Sequence, residues 1–382
     1  MSDAQPAAVW PVFPISLAAL TAFFLPLAVL PAQARAEGAP PSLAALTSTA
    51  FLLGVVAGEL GAAAALRRLG CRLAILAGLF AMSLCTALLA AGATPPVWAA
   101  LGAVRGIGFA LVAVAAAAVV AGGARPGRRG GALGWFGLVA GVPAVVALPL
   151  GVLLTAHAGP EAGTLVAAGA AACGIPFAFL VPAGGFRNAA PGGLRAVLRQ
   201  APALRQAAAL ALGATASGAL IAYAPASVAP SDPALAGTLL LTASVSATVA
   251  RLPAGWLGDR VGPARLLGPA LVVAAVGVAL CAGVGWVAPA LGAIGIGAGF
   301  GVLQTATLHG MSADVPAELA GAVSAVWNLA YDVGLLAGTL VFAVLAALAP
   351  SAAVLPGIAA GLAAASVLLI RALRRSEAIA AT

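Results

Sequence analysis

The chain has 382 residues, of which 63% are hydrophobic and only 7% charged, where a soluble domain carries roughly a quarter charged residues. No fold in water could cover that much apolar surface, so a soluble domain is excluded and lipid is the expected solvent. All 18 basic residues are arginine, set against ten carboxylates for a formal charge of +8; they stand in short groups between apolar runs and read as topology signals beside lipid, not as a nucleic-acid surface.

A helix that crosses a bilayer needs about 20 mostly apolar residues, and twelve runs of that kind follow one another along the chain. In the first half they lie near 11–31, 43–66, 73–94, 97–121, 133–156 and 164–183. In the second they lie near 206–229, 234–254, 266–286, 288–309, 319–346 and 352–374. The segment before the first run lacks the basic region and cleavage site of a secretory signal, so that run is expected to remain as a spanning helix. Alanine and 48 glycines dominate the runs; in lipid, small residues let helices approach closely and supply the packing that apolar contrast cannot. Gly184 to Gln206 is the longest polar interruption and carries Arg187, Arg195, Arg199 and Arg205. It divides the chain into a first six-helix half, 1–183, a cytoplasmic linker, 184–205, and a second six-helix half, 206–382.

Orientation follows from the arginines, because translocation disfavours basic residues on the outer side. With the N-terminus inside, fifteen of them fall on inner segments, Arg35 alone falls on an outer one, and Arg105 and Arg251 lie within helices. Both termini are therefore expected in the cytoplasm, and the cell membrane is the expected location.

The chain also repeats itself at a fixed offset. Arg68-Leu69-Gly70, after the second run, maps onto Arg260-Val261-Gly262, after the eighth, and Trp135 maps onto Trp327. One residue out of that register, Gly106-Ile107-Gly108-Phe109 in the fourth run meets Gly297-Ala298-Gly299-Phe300 in the tenth. Two parallel six-helix halves can rock against each other around a site near the bilayer midplane.

Gly255-Trp256-Leu257-Gly258-Asp259-Arg260-Val261-Gly262 resembles the G-x-L-a-D-R-x-G loop signature of the major facilitator superfamily, and the resemblance extends over essentially the whole chain. It implies an all-α membrane protein of twelve helices in two pseudo-symmetric halves. It also implies a conformational latch, in which Asp259 caps or attracts a neighbouring helix N-terminus and Arg260 reaches phosphates or loop carbonyls. The first-half counterpart departs from the pattern, with Arg67 where the family has Asp. Glu59 and Arg251 occupy matching places before the two loops, and with Gly255 and Gly262 they complete the candidate gate.

Arg105-Gly106-Ile107-Gly108-Phe109-Ala110 resembles a shortened form of the family's R-x-x-x-G-x-x motif. An arginine at membrane depth costs several kcal/mol unless a partner or water meets it, so Arg105 is expected to face an interior cavity. Gly141-Val142-Pro143 and Pro149-Leu150-Gly151 are similar to the Gly/Pro-rich fifth helix of the family's exporters. Asn328, Tyr331 and Asp332, within Asn328-Leu329-Ala330-Tyr331-Asp332-Val333-Gly334, look like the N-x-x-x-D-x-G stretch of a drug-efflux-like branch. Asn328 and Asp332 are four residues apart and share a helix face. Asp332 is the one carboxylate near the middle of an apolar run and is the candidate to exchange a proton, with Arg105 as its charge partner. Ser244 and Thr248 continue the Arg251 face, and Thr47, Thr49, Ser217, Tyr223, Gln304, Thr305 and Thr307 are weaker polar hints.

Cys71, Cys85, Cys173 and Cys281 stand far apart without metal spacing and read as packing residues, and His157 and His309 fall at run ends as solvated side chains. No nucleophile–base pair or phosphate loop at a helix start is found, so neither an enzyme, a metal site nor an organic cofactor is expected. The resemblance implies a secondary active transporter of a small organic solute, acting as a monomer by proton-coupled export. Uptake or facilitated diffusion on the same fold is the alternative, and a non-transporting receptor or scaffold is a distant third.

Overall fold

A computed structural model describes residues 10–91, 95–123, 129–182, 193–314, 319–349 and 351–380. Of the expected linker, 184–192 lies outside the described residues, as do Arg125, Arg128 and Arg187; for Trp135 only the backbone is described. The described residues contain helices and no strand.

Twelve helices are long and apolar enough to cross a membrane. The first six are Val12–Ala36, Pro41–Ala62, Ala64–Ala90, Pro96–Val120, a fifth within Arg129–Ala158, and Glu161–Ala178. The second six are Ala201–Val228, Pro233–Val261, Pro263–Leu280, Val287–Ala313, Ala322–Leu348 and Ala353–Arg371. They are numbered one to twelve below. Each overlaps one of the apolar runs, because a bilayer core of fixed thickness demands the same length of backbone-satisfied helix every time.

Two local features depart from the apolar runs. Helix nine ends at Leu280 instead of reaching 286, since Gly283 and Gly285 weaken the next turn and Gly285 takes a left-handed φ of 76°. Helix seven starts at Ala201, after a short helix Gly193–Leu198, and its C-terminal end widens into a π-helical turn, Ala224–Val228, around Pro225. A proline that cannot donate its backbone N–H is a common cause of such a turn.

The chain divides into two compact units. One comprises Met1–Gly38 and Leu46–Ala189, the other Ala39–Ala45 and Ala190–Thr382. In the first unit helix one packs against helices five and six. Its core includes an aromatic cluster in which Phe23 meets Phe24, Phe51 and Phe109 at centroid distances of 4.7, 5.0 and 4.4 Å. In the second unit helix ten packs on helices seven, eight and nine, and helix eleven on helix seven.

The repeat seen in sequence is also a repeat of contacts. A Cβ added at Gly106 would strike the Phe51 carbonyl, and one added at Gly297 would strike the Ala243 carbonyl, so in both units helices two and four, or eight and ten, touch backbone to backbone. On the other side of the same helix, a Cβ at Gly108 would stand 2.8 Å from the Gly78 carbonyl oxygen, and one at Gly299 would stand 2.5 Å from that of Ala270. Phe51 to Ala243 and Gly78 to Ala270 are both steps of 192 residues, the offset that relates the two loop motifs. Each loop turns on the same backbone device. Gly70 has φ 75° and ψ 166°, Gly262 has φ 88° and ψ 135°, and such values are open to glycine at no steric cost.

Candidate transport site

In the second unit, the apolar face of helix eleven carries Trp327 and Tyr331 one turn apart. Their rings stack at 6.4 Å with 7° between planes, and Tyr331 stacks in turn on Phe300 of helix ten at 5.6 Å. Trp327 donates its ring N–H to Thr307 Oγ1 at 3.1 Å, and the Thr307 hydroxyl donates to the Leu303 carbonyl at 2.7 Å. A buried indole N–H needs such an acceptor, and this one fixes the register of helix eleven against helix ten.

Asp332 follows Tyr331 and is buried, with only 4% of its surface exposed. Asn328, on the same face one turn earlier, is exposed. Sharing a helix face thus does not give the two side chains one environment, and the sequence grouping of Asn328 with Asp332 is corrected to this extent. Arg251, on helix eight, donates through Nε and Nη2 to Gln304 Oε1 at 2.9 and 2.6 Å. A neutral amide meets two of the five donors but leaves the charge in place. Tyr331 lies within electrostatic reach of both Arg251 and Asp332. Sequence reading placed Arg251 in a gate and Gln304 among weak hints; their pairing needed the crossing of helices eight and ten, which no local pattern reveals.

In the first unit, Arg105 on helix four is completely buried, at 0% exposure. Its guanidinium carbon lies 4.0 Å from the centre of the Phe51 ring, and Cys85 lies close enough to interact with its charge. None of Nε, Nη1 and Nη2 has a hydrogen-bond acceptor among the described residues. A cation over a desolvated ring gains about 2 kcal/mol, whereas burying an uncompensated guanidinium costs several. The ring alone does not balance that cost.

Several loop assignments change. Asp259 is exposed and does not cap helix nine, whose N-terminal residue Gly262 receives no side-chain cap. It stands 3.8 Å from His309 Nδ1 instead, with side-chain exposures of 73% and 39%. His309 is a solvated side chain, as expected, and lies near the last turn of helix eight. Arg260 stacks over Trp256, 3.7 Å from the ring centre. Gly255 is an ordinary packing position, 3.8 Å from Thr305, and Gly262 carries the backbone reversal. Glu59 is half-buried in helix two at the place matching Arg251.

Two of the hydroxyl hints bond back to their own helices: Thr307 to the Leu303 carbonyl, as above, and Thr248 to the Ser244 carbonyl at 2.9 Å, the common habit of such side chains in apolar surroundings. In helix five, Pro143 and Pro149 lie inside the helix, and Gly151 packs on the Leu25 carbonyl of helix one.

The profile of the Major Facilitator Superfamily matches residues 12–339. The chain belongs to the major facilitator superfamily. It is accordingly a multi-pass membrane protein with a transporter fold. Solved structures agree on that fold. Peptide transporter POT in complex with sulfate covers 98% of this chain and 96% of its own, with a TM-score of 0.77 and 14% identity. The same transporter with alafosfalin gives 0.76 at the same coverage and identity. Nucleoside transporter NupG covers 96% of this chain and 99% of its own, with a TM-score of 0.71 and 14% identity. No curated protein matches the chain.

Proposed function

We propose that this superfamily member is a secondary active transporter that moves a small organic solute by alternating access, with a proton carried on Asp332 as the coupling ion. The observation that carries the reading is the burial of Asp332 near the middle of helix eleven, next to Tyr331. A carboxylate at membrane depth is costly when ionised and cheap when protonated, so a change in its surroundings during transport converts directly into proton uptake or release. Arg251, held by Gln304 between helices eight and ten, supplies a cation whose approach during transport favours the ionised state.

Outward movement is the proposed direction. It is supported by the Gly/Pro pattern of helix five, Gly141-Val142-Pro143 and Pro149-Leu150-Gly151, and by Asn328, Tyr331 and Asp332 in helix eleven. The distribution of arginines supports a cell-membrane protein with both termini in the cytoplasm. The expected working unit is a monomer, since each chain carries both six-helix halves.

The test uses purified protein in proteoliposomes with a solute found by screening for thermal stabilisation. An imposed proton gradient accelerates movement of that solute by the wild-type protein, and Asp332→Asn removes the acceleration. Equal acceleration in the variant would rule out Asp332 as the proton carrier.

A further inference from the structure

The duplicated fold offers an internal control for Arg105. Gly106 and Gly108 follow it with backbone contacts to Phe51 and Gly78; Gly297 and Gly299 make the same contacts with Ala243 and Ala270. In that shared frame the position of Arg105 is taken by Ile296, buried at 1% exposure, and those of Phe51 and Cys85 by Ala243 and Gly277. The crossing of three helices is thus built in one half with an aliphatic side chain where the other has a guanidinium. A cation at this place is not a requirement of the packing, yet the one present has three nitrogens without an acceptor.

We propose that Arg105 is the receptor for a carboxylate on the transported solute, and that the substrate class is small apolar monocarboxylates. The planar guanidinium fork matches a carboxylate with two parallel hydrogen bonds, and one arginine neutralises one negative charge. A phosphate would bring nearly two charges to the same apolar place and leave one unmet. The Phe51–Phe23–Phe109 cluster beside the fork suits an apolar remainder on the solute, and Phe51, over which the guanidinium lies, holds the fork in a defined plane. The assignment rests on the reading of the protein as a transporter but not on its coupling to protons.

The experiment is thermal stabilisation of the full-length protein in detergent, followed by binding titration. The probes are benzoate, phenylacetate and hexanoate, with benzamide and inorganic phosphate as controls. At least one carboxylate raises the melting temperature, and benzamide and phosphate do not. Arg105→Ile folds with a melting temperature near that of wild type and loses the shift. Arg105→Lys, which keeps the charge but not the fork, retains it with about tenfold weaker binding. Asp332→Asn keeps the shift, so failed coupling and failed recognition are told apart. Absence of stabilisation by all three carboxylates, equal stabilisation by benzamide or phosphate, or a shift that survives Arg105→Ile would each overturn the proposal. So would failure of Arg105→Ile to fold, whether or not the lysine variant does, because the guanidinium would then be a structural requirement.

Discussion

The two halves of the chain share a skeleton and differ in their charges. Helices four and ten meet their neighbours through glycines that superpose with an offset of 191 residues, and the loops after helices two and eight turn on Gly70 and Gly262 with closely similar backbone angles. Yet Arg105 faces Ile296 across the repeat, Glu59 faces Arg251, and Arg67 faces Asp259. Close backbone approach is what a lipid-embedded bundle needs for cohesion, so both halves keep it. Charges are expensive there, and each half carries a different set; that asymmetry is what the proposed transport chemistry builds on.

The comparison breaks most visibly if the shared glycines are not equivalent. Gly106→Val and Gly297→Val each press a branched side chain into a backbone carbonyl that cannot move aside, and each should lower stability by about 3 kcal/mol or more, measured as loss of melting temperature and of monodisperse protein. Tolerance of one but not the other would mean that the two crossings are not the same structure. A smaller effect sharpens the loop comparison. Gly70→Ala and Gly262→Ala force an L-residue into a glycine conformation at about 1–3 kcal/mol each, and thermal denaturation should find the two losses similar.

Unduplicated contacts should give unduplicated losses. Trp327→Phe keeps most of the ring but deletes the N–H that Thr307 Oγ1 accepts, at about 1 kcal/mol, seen again as a melting shift. The smallest effect is Asp259→Asn. Its pairing with His309 is long and largely exposed, so solvent screening holds the stability change to about 0.5 kcal/mol or less. Any larger change would show that the loop motif of the second half is a structural clamp in its own right.

Much of this fold is legible in the residues because lipid imposes a simple rule on length and polarity, and all twelve helices fall on apolar runs. Helix nine stops early at Gly283 and Gly285, where local glycine chemistry overrides hydropathy. The site is legible only as single residues. Arg105 and Asp332 stand out because a charge within an apolar run is conspicuous, whereas Phe51 under the guanidinium and Gln304 beneath Arg251 come from other helices and look ordinary in their own runs. The approach of His309 to Asp259 is missed for the same reason: Asp259 lies fifty residues earlier in the chain, across a helix crossing. Helical periodicity says which residues share a face; it does not say that Asn328 opens to the surface while Asp332, one turn on, is buried.

The account centres on Asp332 as the group that ties solute movement to protons, and the most direct measurement compares two modes of transport by Asp332→Asn in proteoliposomes. Exchange of labelled for unlabelled solute, which needs no net proton transfer, should proceed at a rate near that of wild type, while accumulation driven by a proton gradient should vanish. Accumulation that persists in the variant, or exchange that is lost together with it, would contradict the account.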